Sequence, residues 1–296
     1  MNRLRPFELH QPATIDEAVR LLAARPGACP LAGGTDLLVD MKLGRARPPV
    51  VVNLKRIPGL DGVEQFAGGT RIGALAPIGA LAASPLIGER YPALGQACRA
   101  LATQPVRNLA TIGGNLGRGS PASDMAPPLI VHGARVEIAG PAGRRTVPVE
   151  ELHVGPGISC LTPGEIITAV VIPEPPPGSG SAFRKIGKRG GGWDIALVGC
   201  AAAVVLGERG EVVAARIALA SVAPTPLRAR AAEARLVGGV PAEALLAEAA
   251  ATAAGETRPI SDVRASAAYR RTLARVLVLR TLREAVTLAG RGGGAQ

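Results

Sequence analysis

Apolar positions first recur with a helical period near the N-terminus, where Ile15, Ala18, Val19 and Leu22 fall on one face. Thr14 stands three residues ahead of Glu17, the spacing at which a hydroxyl and a carboxylate cap a helix start, so a first helix is expected here. The following stretch, "ACPLAGGTDLLVDMK", predicts a short strand, a turn at Gly33-Gly34, and a helix capped by Thr35 or Asp36. The run "PVVVNL" predicts a short buried strand, and "TRIGALAPIGAL" a strand entering a helix with Pro77 in its first turn. Ala93 to Leu101 is again helical in period.

Residues 107–134 read "RNLATIGGNLGRGSPASDMAPPLIVHGA". Here Thr111-Ile112 is expected to be extended, Gly113-Gly114 to turn, and Ser123 or Asp124 to start a helix whose prolines stay in its first turns. Beyond it, "RVEIAG" and "RRTVPV" pattern as paired strands across "PAG", and "GEIITAVVIP" as a further strand.

The densest Pro/Gly/Ser tract is "PEPPPGSGS", residues 173–181, and it predicts a domain boundary. The pattern changes after it. Strands "SAFRKIG", "IALVGCAAAVVL" and "VVAARIALASV" are followed by helices "LRARAAEARLV", "AEALLAEAAATAA" and "SAAYRRTLARVLVLRTLREAV". Strands followed by helices predict an α+β module. The resulting division is 1–176, 180–289, and a disordered tail at 290–296 carrying "GRGGGAQ".

Length and composition fit this picture, since 296 residues exceed one ordinary domain and 47% hydrophobic with 19% charged residues is globular. The formal charge is +11, yet only four basic residues are lysines: Lys42, Lys55, Lys185 and Lys188. Basic charge alone would admit nucleic acid. The excess is dispersed, however, and three Phe, two Tyr and one Trp offer few stacking platforms, so nucleic-acid binding is not expected. Cys29, Cys98, Cys160 and Cys200 lie far apart and form no metal-like spacing with His10, His132 or His153. No signal-peptide core or membrane-spanning run is present, so a cytoplasmic protein without membrane insertion is expected.

The candidate chemistry lies in two similar turns, "LAGGTDLL" and "TIGGNLG", each an apolar strand end, a Gly-Gly pair and a small polar residue. Glycine lets backbone N–H groups approach a phosphate closely, and a following helix start favours an anion. Two such loops could clasp the two phosphates of a dinucleotide, or each could be only a tight turn. Neither fits G-x-G-x-x-G or G-x-x-x-x-G-K-[ST], so an NAD-type nucleotide fold and a P-loop are unsupported. Asp124 either accepts hydrogen bonds from a ribose or adenine edge or caps its helix; Lys185 either places a cation beside an electron-rich ring or is an exposed strand lysine. No catalytic Ser/His/Asp or Cys/His set is present, and no metal site.

Taken together, "AGGTDLL" and "ATIGGNLGRGSPASDMAPPLIVHGA" resemble the FAD-binding medium subunit of the molybdenum hydroxylases, the xanthine dehydrogenase and carbon monoxide dehydrogenase family. "GEIITAVVIPEP" and "FRKIGKRGGGWDIALVGCAAAVV" extend the likeness over almost the whole chain. The resemblance implies a two-part FAD-binding domain of the PCMH or vanillyl-alcohol-oxidase type, followed by a CO dehydrogenase flavoprotein-type α+β domain. It places Ala32, Gly33, Gly34, Thr35 and Asp36 on one side of the FAD pyrophosphate and Thr111, Ile112, Gly113, Gly114 and Asn115 on the other. Asp124 would face the ribose or adenine end, Ile167 would pack near the flavin, and Lys185 would approach the isoalloxazine.

Partners are implied too: a small subunit with 2Fe-2S clusters and a molybdopterin large subunit, in a heterotrimer whose FAD passes electrons to NAD, a quinone or oxygen. Two features depart from relatives. No cysteine-rich insertion for a 4Fe-4S cluster is present, and Phe183 stands nearest to a tyrosine common ahead of the lysine. A stand-alone flavin oxidase of the same fold and a flavin-free nucleic-acid-binding scaffold are the alternative readings.

Overall fold

The computed structural model describes residues 4–189 and 193–292. Its N-terminal part holds two sheets. In the first, Glu8–His10, Val50–Asn53 and Cys29–Leu31 run parallel with Val50–Asn53 in the centre. Val51 and Val52 are fully buried, as a parallel strand covered on both faces requires. The helix Ile15–Ala24 packs Ala18, Val19 and Leu22 into the same small core as Val50 and Val52. Thr14 accepts a hydrogen bond from the Glu17 N–H (3.2 Å), while the Glu17 carboxylate accepts from the Ala13 N–H (2.9 Å), one residue further back than a standard capping box.

The second sheet is antiparallel, in the order Val63–Phe66, Gly69–Gly73, Ile166–Pro173, Arg135–Gly140, Gly143–Pro148. Its central strand, Ile166–Pro173, is the expected apolar run. The outer strand Val63–Phe66 is exposed at every position and gives no apolar alternation to read.

The C-terminal part is a four-stranded antiparallel sheet, Ser179–Gly187, Ala196–Leu206, Val212–Ala220 and Leu227–Arg228, followed by helices Arg230–Leu236, Glu243–Glu256 and Ala267–Gly292. The first strand starts at Ser179, so the connection between the two parts shrinks to residues 174–178. Two boundaries differ from expectation. Leu227–Arg228 completes the sheet beside Ala218–Leu219 instead of opening a helix. At the other end, the terminal helix runs to Gly292, so residues 290–292 are helical; 293–296 lie outside the described residues.

Strand alternation divides the work of this sheet. Ala182, Cys200, Ala202 and Ile217 face the C-terminal helices, whereas Phe183, Ala201 and Ala218 join the core of the N-terminal part. Helices Pro92–Ala100 and Ala126–Val131 lie against that second face. The alanines let helices approach on both sides. Polar links tie the two parts as well: the Phe183 N–H donates to Gln96 Oε1 (2.6 Å), the Ala93 N–H to Ser181 Oγ (3.1 Å), and the Ser221 N–H to the Pro121 carbonyl (2.8 Å). Among the described residues, no helix is long and apolar enough to cross a membrane.

Candidate functional site

The two glycine segments meet. A Cβ on Gly33 would collide with the Leu109 carbonyl oxygen, so the first loop lies with its backbone directly on the chain that leads into Thr111. Gly34 has φ +77°, a conformation that side chains rarely adopt, and this is the turn that the sequence predicts. The helix after it, Leu37–Lys42, has no side-chain cap from Thr35 or Asp36; the Leu38 N–H uses the Gly34 carbonyl instead (3.1 Å).

The second segment corrects an expectation. Gly113-Gly114 is not a turn but the opening of a short helix, Ile112–Gly117, with Thr111 extended at its N-cap and its hydroxyl accepting from the Gly114 N–H (3.1 Å). Gly113 is needed for packing: its N–H donates to the Ala74 carbonyl (2.8 Å), and a Cβ there would press on Ala74 at 2.6 Å. Ile112 is fully buried and its N–H goes to the Ala76 carbonyl (3.2 Å). Ile112 and Gly113 therefore hold the segment in place. Gly114 is exposed, and a Cβ there would meet Thr111 Oγ1 at 2.9 Å and Ala32 Cβ at 3.6 Å, so the first loop lies close beside it.

The two sides differ in what they offer a ligand. The backbone N–H groups of Gly33, Gly34, Thr35 and Asp36 have no acceptor among the described residues. Those of Ile112, Gly113, Gly114 and Asn115 are all used internally, the last by the Thr111 carbonyl (3.0 Å). One side is rich in backbone donors; the other presents small surface and the Asn115 side chain.

Asn115 is held by a residue that the sequence had marked only as a helix start. Ser123 Oγ donates to Asn115 Oδ1 (2.6 Å) and accepts from the Ala126 N–H (3.1 Å), so Ser123, not Asp124, caps Ala126–Val131. No periodicity joins positions eight apart across a loop, which is why the contact was not legible. An ion pair between Arg118 and Asp40 (2.9 Å) also bridges the two segments at the surface.

Asp124 and Lys185 take another arrangement than expected. The resemblance sets them at opposite ends of the dinucleotide, nucleoside and flavin; the structure pairs them, Lys185 Nζ to Asp124 Oδ2 at 2.7 Å, with both side chains buried. The cause is strand parity. Ser181, Phe183 and Lys185 share the face of Ser179–Gly187 turned toward the N-terminal part, which brings the ammonium onto Asp124. Desolvation pushes the Asp124 carboxyl up to about 6 against the pull of Lys185, and its Oδ1 is buried without a hydrogen-bond partner. Ile167 is buried in the central strand, its Cδ1 3.9 Å from the place of a Cβ on Gly117, beneath the short helix.

The cysteines have no part in this. Burial pushes the Cys98 and Cys200 thiols up to about 12, and among the described residues no group of three or more His, Cys, Asp or Glu could hold a metal ion.

Residues 5–175 match the family model of the FAD binding domain in molybdopterin dehydrogenase, and residues 181–285 that of the CO dehydrogenase flavoprotein C-terminal domain. The carbon monoxide dehydrogenase medium chain of Hydrogenophaga pseudoflava is 36% identical over 94% of this chain and 96% of its own length. The xanthine dehydrogenase FAD-binding subunit of Escherichia coli O157:H7 is 34% identical over 95% of this chain and 96% of its own. Among solved structures, carbon monoxide dehydrogenase from Hydrogenophaga pseudoflava superposes with a TM-score of 0.92 at 36% identity, covering 96% of this chain and 99% of that one. Quinoline 2-oxidoreductase from Pseudomonas putida 86 gives 0.91 at 31% identity, covering 97% and 99%. The chain belongs to the FAD-binding medium subunits of the molybdenum hydroxylase family, flavoprotein components of oxidoreductases with FAD as cofactor.

Proposed function

We propose that this chain holds FAD with its pyrophosphate between the two glycine segments and passes electrons from the 2Fe-2S clusters of a small partner subunit to an external acceptor. A molybdopterin large subunit would oxidise the substrate, and the assembly would be a cytoplasmic heterotrimer. The observation that carries this reading is the close approach of Gly114 to Ala32, with four uncommitted N–H groups on the first loop beside it. Backbone donors of this kind suit phosphate oxygens, and the lack of a side chain at Gly33 and Gly34 permits close approach.

The residues fit the group. Ala32, Gly33, Gly34, Thr35 and Asp36 line the donor wall, and Gly114 and Asn115 the opposite one, with Thr111, Ile112 and Gly113 fixing its shape. The orphan Oδ1 of buried Asp124 suits a sugar or ribityl hydroxyl, which would give it the hydrogen bond that the chain does not. Lys185 beside it supplies a cation at the junction of the two domains, taken as 1–176 and 180–289, and Ile167 supplies an apolar floor. Bound FAD supplies the redox chemistry by accepting and releasing electrons, while the protein binds, orients and sets the local field. No general acid or base is required of this chain.

Purification of the tagged chain from its native host tests the assembly. Iron and molybdenum are expected to emerge with it in fixed ratio to flavin. A chain that reproducibly emerges with flavin but without either metal would contradict the electron-transfer role.

A further inference from the structure

The short helix on the second wall, residues 112–117, carries one polar side chain. The backbone N–H groups from Ile112 to Asn115 are all committed, so a donor from this stretch must come from a side chain. Asn115 is that side chain, but a primary amide is ambiguous: one end donates and the other accepts, and only a neighbour can fix which end faces outward.

Ser123 resolves the ambiguity. Its hydroxyl is 2% exposed as a residue, and its oxygen already accepts the Ala126 N–H at 3.1 Å. Its one proton is donated to Asn115 Oδ1 at 2.6 Å. The Oδ1 end of Asn115 is thereby anchored inward, and Nδ2 has no partner among the described residues. We propose that Ser123 is a positioning residue for the dinucleotide site: by donating to Asn115 Oδ1 it locks the amide with its N–H donors presented to an anionic phosphate oxygen.

The inference rests on the two-walled FAD reading given above and adds a residue that does not itself touch the cofactor. Without the Ser123 hydroxyl the amide is no longer anchored, and its carbonyl oxygen can turn toward a phosphate. The same hydroxyl links the site to the start of Ala126–Val131, the helix that packs on the C-terminal sheet. One side chain thus sets both the polarity of the wall and the entry of the helix behind it.

A double-mutant cycle read by FAD titration of the purified full chain separates these two jobs. Ser123→Ala is expected to weaken FAD binding about tenfold, the scale of one hydrogen bond to a charged group. On an Asn115→Ala background the same substitution is expected to change FAD affinity by less than about twofold, because there is no amide left to orient. Loss of the helix cap lowers thermal stability on both backgrounds, so a stability loss that persists on the Asn115→Ala background without a loss of affinity separates the cap from the orienting bond. Ser123→Thr, which keeps the hydroxyl, is expected to recover most of the affinity relative to Ser123→Ala. Equal loss of affinity on both backgrounds would show a general structural effect and overturn the proposal. A wild-type chain that is folded and does not bind FAD would overturn the two-walled reading and this proposal with it, whereas wild-type binding with an unaffected Ser123→Ala would overturn this proposal alone.

Discussion

Lys185 Nζ lies 2.7 Å from Asp124 Oδ2, although the two residues are 61 positions apart and belong to different domains. Burial opposes the charge on Asp124 more strongly than Lys185 supports it, so the carboxyl titrates at about 6 in the folded chain against 3.8 as its ordinary value. A raised carboxyl favours folding when protonated. Its contribution is complete below about pH 4 and is lost as the pH rises through 6. Asp124→Asn has nothing to ionise, so between pH 4.5 and 7.5 its urea unfolding free energy should gain about 2 kcal/mol relative to wild type. An unchanged difference across that range would show that the carboxylate is ionised throughout.

His132 gives the opposite dependence. Ser181 Oγ accepts the Ala93 N–H and is paired with His132 Nε2 (3.2 Å), and Tyr91 packs edge-on against the buried ring. Burial, with Arg216 nearby, pulls its pKa down to about 4 from 6.5. The stabilisation is complete above about pH 6.5 and is lost as the pH falls through 4. From pH 7 to 4.5 the wild type should lose about 2 kcal/mol more stability than His132→Gln, measured by denaturant unfolding. Parallel acid losses in the two proteins would remove His132 from the account.

Gly180 sets the distance between the terminal helix and its sheet. A Cβ at this position would collide with Ala285 O and Ala289 N, backbone atoms of Ala267–Gly292 that cannot swing aside. Gly180→Ala should cost about 2 kcal/mol or more and speed amide exchange over the last turns of that helix. Wild-type stability and exchange would mean that the helix is not seated there.

The two walls of the site predict different failures for two glycines. Gly33 rests on the Leu109 carbonyl, so Gly33→Ala must displace the loop, with an expected stability loss of about 2 kcal/mol together with weaker FAD binding. At Gly114 a Cβ meets the Thr111 hydroxyl at 2.9 Å and Ala32 Cβ at 3.6 Å rather than backbone, so substitution there should weaken FAD binding with a smaller loss of unfolding free energy than at Gly33. Calorimetry on the two flavin-free variants distinguishes them.

Much of this was legible in the chain. The helix from Ile15, the turn at Gly34, the hairpin Arg135–Pro148 and the long alanine-rich strands followed from periodicity and turn chemistry. What escaped had physical reasons. Val63–Phe66 is exposed throughout, and Glu8–His10 is too short to show a pattern. Gly113-Gly114 looked like a turn because glycine permits one, but the Thr111 cap and the Ala74 carbonyl draw it into a helix. The residues of the glycine loops could be named in advance, whereas the Lys185–Asp124 pair and the Ser123–Asn115 bond depend on how distant segments pack.

The central claim is that the FAD pyrophosphate is held where the loops of Ala32 and Gly114 meet, and equilibrium titration of the purified full chain and its Gly114→Val variant tests it most directly. Flavin fluorescence and absorbance are followed, with circular dichroism to verify folding and FMN as the control flavin. The account predicts saturable one-to-one binding that prefers FAD to FMN in the wild type, and affinity weakened by at least about a hundredfold in the folded variant. A folded Gly114→Val chain that binds FAD as tightly as wild type would contradict it.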